Sequence, residues 1–186
     1  IIRRYYTALN HLAEGAGNDQ EVSKIALLLN QAKIDPAKYR PVIAAAKERA
    51  AKSGHHCSAI ELADGTIITA ESSDLLGPSA ALILNATKHL AGIDHSVKLI
   101  PQHMIEPIQH TKTAYLRSHN PRLHTDEVLV ALSLLSAHDS DCARALEKLP
   151  ELAGCEVHST VMLGEIDRKI FKKLGVGLTC DPAKKN

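Results

Sequence analysis

The sequence predicts an α/β fold, a three-layer α/β/α sandwich with a mixed five-stranded sheet, preceded by a helical segment. Three observations carry that expectation. Helical periodicity fills the first fifty residues or so, and strand-like runs then alternate with helical ones to the end of the chain. Asp64-Gly65 sits between the β-rich runs CSAIEL and TIITAE, which makes a hairpin and one antiparallel pair. Residues Ala80 to Ala86 are apolar except for Asn85, so the helix after the hairpin is expected to be buried on more than one side. Strands separated by helices imply parallel pairing through right-handed crossovers, with helices on both faces of the sheet.

Taken in order, Ile2, Tyr5, Tyr6, Leu9 and Leu12 fall at helical spacing, and Gly15 and Gly17 end that helix. Asn18 or Asp19 caps the next, whose face is Ile25, Leu28, Leu29 and Ala32. Asp35-Pro36 opens a short turn, and Pro41 to Lys52 form a separate helix stopped by Gly54. In the hairpin the expected register pairs Leu62 with Ile67 and Ile60 with Thr69, leaving Ala59 and Ala70 together on the opposite face. Pro78 starts the buried helix and Gly92 ends it. Val97 to Ile100 is expected as a short buried strand, and Pro107 to about Arg117 as a helix. Thr125 caps an apolar helix with Val128, Ala131, Leu132 and Leu135 on one face, and Ser140 caps another that Pro150 ends. Glu156 to Leu163 is expected as a strand, Ile166 to Leu174 as the last long helix, and Val176 to Cys180 as the final strand.

Composition narrows the function. The net charge of +1 supplies no basic footprint for nucleic acid, and 3% aromatic content leaves few platforms for stacking bases. No apolar run reaches membrane-spanning length. The four cysteines, Cys57, Cys142, Cys155 and Cys180, form no CxxC pair and have no zinc-finger spacing. They read as reduced, buried thiols of a cytoplasmic protein, the alternative being one disulfide. The chain starts at Ile1, without Met or a signal pattern, and is read as part of a longer protein. Residues 1–40 then form a helical segment packing on an upstream domain, 41–182 the sandwich, and 183–186 a tail.

Two resemblances follow. The run AAAKERAAKSG leading into CSAIELADGTIITAESS, and then a helix, resembles the cytidine-deaminase-type α/β/α sandwich. In zinc deaminases that helix opens with His/Cys-x-Glu and the next strand ends in Pro-Cys-x-x-Cys. Here the helix opens Gly77-Pro78-Ser79-Ala80, and Pro101 is followed by Gln102-His103-Met104. The resemblance therefore implies the fold and not the zinc reaction. A closer resemblance covers nearly the whole chain. IIRRYY, DGTIIT, ALILNATKHLAGI, IEPIQHTKT, NPRLHTDEVLVALS, LPELAGCEVHSTVML and KKLGVGLTCDP occur in order, as in the C-terminal portion of a bacterial family catalogued as domain of unknown function 1846. That resemblance implies an upstream α/β region with a Gly-rich, phosphate-loop-like segment. No GxxxxGK[ST] or GxGxxG occurs in this chain.

Histidine is the unusual residue: 11 are present, six of them from His89 to His124. The richest cluster is Asn120 to Glu127. Arg122 is placed to fork onto a carboxylate or phosphate, and His124 to act as acid, base or phosphate donor with Asp126 or Glu127 orienting it. The bland alternative is a capped helix with dipole-favoured acids and a locally paired Arg122. His103 and His110 follow the expected third strand, on the side where α/β sheets bind ligands, and Lys112 adds a cation. His103, Glu106 and His110 lack HExxH-type spacing, so no metal or cofactor is assigned. His158 is a core residue satisfied by its neighbours, or a further site residue if the strand ends share one crevice. The leading function is an accessory or substrate-binding domain of a larger nucleotide-dependent enzyme, holding an anionic small molecule through Arg122, His124, His103 and His110. The alternatives are a non-catalytic interaction or homo-oligomerisation module and a metal-dependent hydrolase.

Overall fold

The computed structural model describes residues 1–182; the expected tail at 183–186 lies outside the described residues. Four helices come first: α1 (Ile2–Ala13), α2 (Asp19–Gln31), the single turn α3 (Pro36–Tyr39) and α4 (Pro41–Ser53). Asn18 and Asp35 each accept a backbone N–H as caps, and Gly54 stops α4 in the left-handed conformation, φ 73°, which is strained for residues with a side chain. The hairpin β1 (Cys57–Glu61) and β2 (Ile67–Glu71) follows, then α5 (Pro78–Leu90), α6 (Gln102–His110) running on as a π-turn over Thr111–Tyr115, α7 (Thr125–Leu135), α8 (Ser140–Glu147), β3 (Glu156–Ser159), α9 (Glu165–Lys173) and β4 (Gly177–Cys180).

Among the described residues the sheet has four strands, in the order β2-β1-β3-β4, not five. Leu99 and Ile100 are buried as expected, but the segment Val97 to Ile100 pairs with no strand. It spends its apolar side chains on a core between helices, and burial alone does not choose between strand and coil. The pairings β2·β1 and β1·β3 are antiparallel; only β3·β4 is parallel. In the hairpin, Ile60 faces Ile68 and Ala59 faces Thr69, one residue off the expected register. The Leu62 N–H meets Thr66 O at 2.9 Å, so the loop is Ala63-Asp64-Gly65 with Gly65 at φ +84°. A three-residue loop with glycine in the left-handed region replaces the two-residue turn. One residue of slip reverses a strand's faces. Ala59 therefore packs with Val42 and Ala46 of α4, while Ala70 packs on the far side with Leu82, Ile83 and Ala86 of α5.

Other boundaries also shift. The helix expected to begin at Pro107 begins at Gln102, with Pro107 inside it. His124, not Thr125, occupies the N-cap of α7, and Asp139, not Ser140, caps α8 by accepting the Asp141 and Cys142 N–H groups. β3 ends at Ser159.

α1 and α4 lie on one face of the sheet, α5 and α9 on the other. Helix α5 is the middle of the molecule. One side, through Leu82, Ile83 and Ala86, meets the sheet and Phe171; the other, through Ala80 and Leu84, meets Ile105, Val128, Leu132 and Cys142 of the outer helices. Burying its leucines and isoleucine stabilises the fold by about 1.5–3 kcal/mol each. All four cysteines are free and buried. Burial pushes each thiol up, Cys142 and Cys180 to about 11.

On the α1 face a polar cluster ties the helices to the sheet. Arg40, 7% exposed, pairs with Glu156 and donates to Val157 O and Gly177 O at 3.0 Å, joining the start of α4 to β3 and β4. Replacing Arg40 by Met takes the buried cation from the Glu156 carboxylate and one hydrogen bond from each of the two carbonyls; the expected loss is about 2–4 kcal/mol by urea unfolding. Tyr6 packs edge-on against His158, with ring centroids 5.2 Å apart. Burial first, and then the Asp181 charge, raises its phenol from 10.0 to about 12. The folded state therefore holds the phenolic proton more tightly than the unfolded chain. That contribution is complete below pH 10.0 and is lost as pH rises towards about 12. Stability measured across this window should fall by roughly 2 kcal/mol more in the wild type than in Tyr6→Phe.

Candidate functional site

A cavity of about 590 Å³ opens where three chain segments meet at one end of the sheet. His56 precedes β1, Ser72 follows β2 and Val161 follows β3, so the cavity lies beyond the carboxyl ends of β2 and β3. Gly77 and Pro78, at the start of α5, form one wall, and the loop His119 to His124 forms the opposite wall. A short parallel bridge joins Leu76 to Leu123 and closes the corner; the Leu123 N–H donates to Leu75 O at 2.9 Å and the Gly77 N–H to Leu123 O at 3.2 Å.

The loop is held from beneath by a buried lysine. Lys112 Nζ donates to Arg122 O at 2.6 Å and to Glu127 Oε2 at 2.7 Å. The Glu127 carboxylate also accepts the His124 backbone N–H at 2.8 Å. The His124 ring faces the Glu127 N–H across this capping box but makes no cap hydrogen bond to it. Lys112 and Glu127 thus build the loop and stay out of the cavity lining. Arg122 does line it, with Nε donating to Ser73 O at 2.7 Å.

The carboxylate beside the His124 ring belongs to Asp167, on α9. Its Oδ2 lies 3.4 Å from His124 Nδ1, and its Oδ1 accepts from Thr125 N at 3.0 Å and Thr125 Oγ1 at 2.9 Å. Asp167 is fully buried. The N-terminus of α7 thus already holds an anion from the protein itself. The neighbouring Asn120 amide favours one tautomer of His124. The Arg122 N–H donates to Asn120 Oδ1 at 3.1 Å, which turns the amide so that Nδ2 faces His124 Nε2 at 3.3 Å. An amide NH₂ only donates, so Nε2 accepts in the neutral ring and Nδ1–H points at Asp167.

The other expected site residues lie elsewhere. His103 and His110 are exposed on α6, outside the cavity lining, and the His110 ring packs against Tyr115. Asp126 does not line the cavity either, and its Oδ1 is buried without a hydrogen-bond partner. His158 is fully buried on β3, with Nδ1 3.0 Å from Thr179 Oγ1 and Nε2 3.5 Å from Asp181 Oδ1. Burial pushes the Asp181 carboxyl up, but the contacts with His158 and Lys47 outweigh it and hold the carboxyl below its ordinary value. Among the described residues no group of three His, Cys, Asp or Glu side chains is arranged to hold a metal ion.

Reading the sequence locally missed Asp167, His56, Asp74 and His119. Asp167 left one signal: with Ile170, Phe171 and Leu174 it falls at i, i+3, i+4 and i+7, which puts a carboxylate on the apolar stripe of α9. Exchanging Asp167 for Asn would set an NH₂ against His124 Nδ1–H. The expected result is transfer of the ring proton to Nε2, read by long-range ¹H–¹⁵N correlation, with about 1–2 kcal/mol lost from the cap of α7.

Comparison with known proteins places the chain. The family described as "Domain of unknown function DUF1846, C-terminal" matches residues 38–186. A UPF0371 protein of Corynebacterium urealyticum is 49% identical over 182 residues, covering 98% of this chain and 36% of the relative. A UPF0371 protein of Corynebacterium diphtheriae is 47% identical over the same length, and one of Streptococcus thermophilus 43%. The chain spans about a third of the length of these curated relatives. The family match runs over most of the chain, which therefore belongs to the DUF1846 C-terminal domain family and is similar to the corresponding third of UPF0371 proteins.

Proposed function

We propose that this domain is the accessory or substrate-binding part of a larger, nucleotide-dependent bacterial protein, and that its cavity binds an anionic small ligand. The observation that carries this is the pairing of Arg122 with His124 on one wall. The guanidinium is spent on a single carbonyl through Nε, and the imidazole is held by a fully buried carboxylate. Arginine offers a fork matched to carboxylate and phosphate oxygens. A histidine with Nε2 as its lone-pair atom can take a proton from a bound group or accept a phosphoryl group. The opposite wall adds the first turn of α5, which has no side-chain cap and favours negative charge. Asp74 in the lining would repel part of an anion's charge and select its orientation.

Asp167 acts here as a positioning residue and Lys112 as the support of the loop. The greater length of the relatives supports an upstream partner domain. Four unpaired, buried thiols fit a reducing, cytoplasmic setting. The deaminase-like reading of the fold would put the cavity at the helix start where zinc chemistry occurs in that group; in this chain that turn offers Gly77, Pro78 and Ser79 in place of metal ligands.

A thermal-shift and calorimetric screen with inorganic phosphate, nucleotides and phosphorylated metabolites tests the site. Binding should weaken at least tenfold, about 1.4 kcal/mol, in Arg122→Ala, and lose its pH dependence in His124→Ala. Binding unchanged in both variants would remove the ligand from this cavity.

A further inference from the structure

A second cavity, of about 520 Å³, runs along the free edge of the sheet. All five residues of β2, Ile67 to Glu71, line it. Successive side chains of a strand point to opposite faces, so five in a row share one cavity only through their backbone edge. The register says which groups face out. Ser72 N–H donates to His56 O and Leu62 N–H to Thr66 O, so Ala70 and Ile68 bond to β1. The N–H and C=O groups of Ile67, Thr69 and Glu71 therefore point into the cavity. Among the described residues only Thr69 O meets a donor there, Asn85 Nδ2 at 3.2 Å. At the opposite edge α1 packs against β4, and Asn10 donates to Cys180 O at 3.0 Å.

Helices overhang the β2 edge from both layers. Ala81, Asn85 and Lys88 of α5 form one wall, and Arg49 of α4 reaches over the other face to Glu71, 2.9 Å away. Arg49 pairs with Glu71, the one carboxylate among the described lining residues, and the other charged side chains there are cations. Lys88 is 7% exposed and donates to the carbonyls of His95 and Val97, at 2.6 and 3.1 Å, rather than to a carboxylate. Burial and the nearby Lys98 hold Lys88 below its ordinary value. Lys98, His89 and His95 line the same slot.

We propose that an extended, acidic segment from the upstream part of the same polypeptide adds to β2 as a fifth strand, its carboxylates meeting Lys88 and Lys98. Strand addition to an open edge uses main-chain bonds for affinity and side-chain pockets for selection. Charge complementarity selects an acidic segment and disfavours a second copy of β2, which would bring the same cations face to face. The source follows from length and from the edge itself. The relatives are about three times as long as this chain, and the matched domain is C-terminal. An edge with no proline and no lysine of its own is an aggregation hazard unless covered permanently, and a tethered segment does that.

The test uses the full-length protein. Amide exchange read by mass spectrometry should show Ile67 to Glu71 protected, and Lys98→Glu should speed their exchange at least about tenfold. Thr69→Pro removes one outward N–H and no bond to β1; it should speed exchange at Ile67 and Glu71 while Ser58 and Ile60 stay protected. Zero-length carbodiimide coupling should link Lys98 to an Asp or Glu upstream of residue 1 in the same chain, and lose that link in Thr69→Pro. Fast exchange across β2 in the wild type, a link formed only between isotopically distinct chains, or protection that appears only on adding inorganic phosphate would each overturn the proposal. If Thr69→Pro fails to fold, the Lys98→Glu result decides.

Discussion

Helix α5 has to be buried on two sides, and the rest of the molecule is arranged to satisfy it. A helix with leucine and isoleucine facing the sheet and alanine and leucine facing away cannot sit on the surface of an α/β sandwich. It needs a sheet beneath it and further helices above. The chain from α6 to α8 supplies that outer cover, and the buried Val97 to Ile100 segment is drawn into it rather than into the sheet. The same demand places the candidate cavity. The first turn of α5 must emerge at the end of the sheet, where the loop before α7 crosses it and the Leu76–Leu123 bridge holds the two together.

Around that loop, charge is handled by enclosure. Lys112 and Glu127 neutralise each other beneath it, and Asp167 is held by Thr125 and the His124 ring. The buried Lys112 and Asp167 thus each have partners, as burial requires. What the cavity presents is the remainder: the Arg122 guanidinium, the His124 imidazole, the Asp74 carboxylate and the uncapped first turn of α5.

Local patterns in the sequence reveal the elements well and their partnerships poorly. The caps Asn18 and Asp35, the stops at Gly54 and Gly175, and the double-sided burial of α5 follow from neighbours within a few residues, where propensity and capping act. The hairpin register missed by one because Asp64-Gly65 serves a three-residue loop as readily as a two-residue turn. The antiparallel β1·β3 pairing joins strands separated by nearly a hundred residues, and no local feature encodes its direction. The site behaves in the same way. Arg122 and His124 stand out because a capped helix does not explain them. Asp167 is more than forty residues away, and its role is fixed only when α9 docks against α7.

The four enclosed thiols have a practical meaning. They sit at separate points of two layers: Cys57 at the start of β1, Cys155 ahead of β3 and Cys180 at the end of β4 in the sheet, and Cys142 in the outer helices. Each is both shielded and held in the unreactive protonated form. Alkylation of any of them is therefore a clock for the opening of its own layer. Comparing the four rates would map, without added probes, whether the sandwich breathes as one unit or comes apart in pieces.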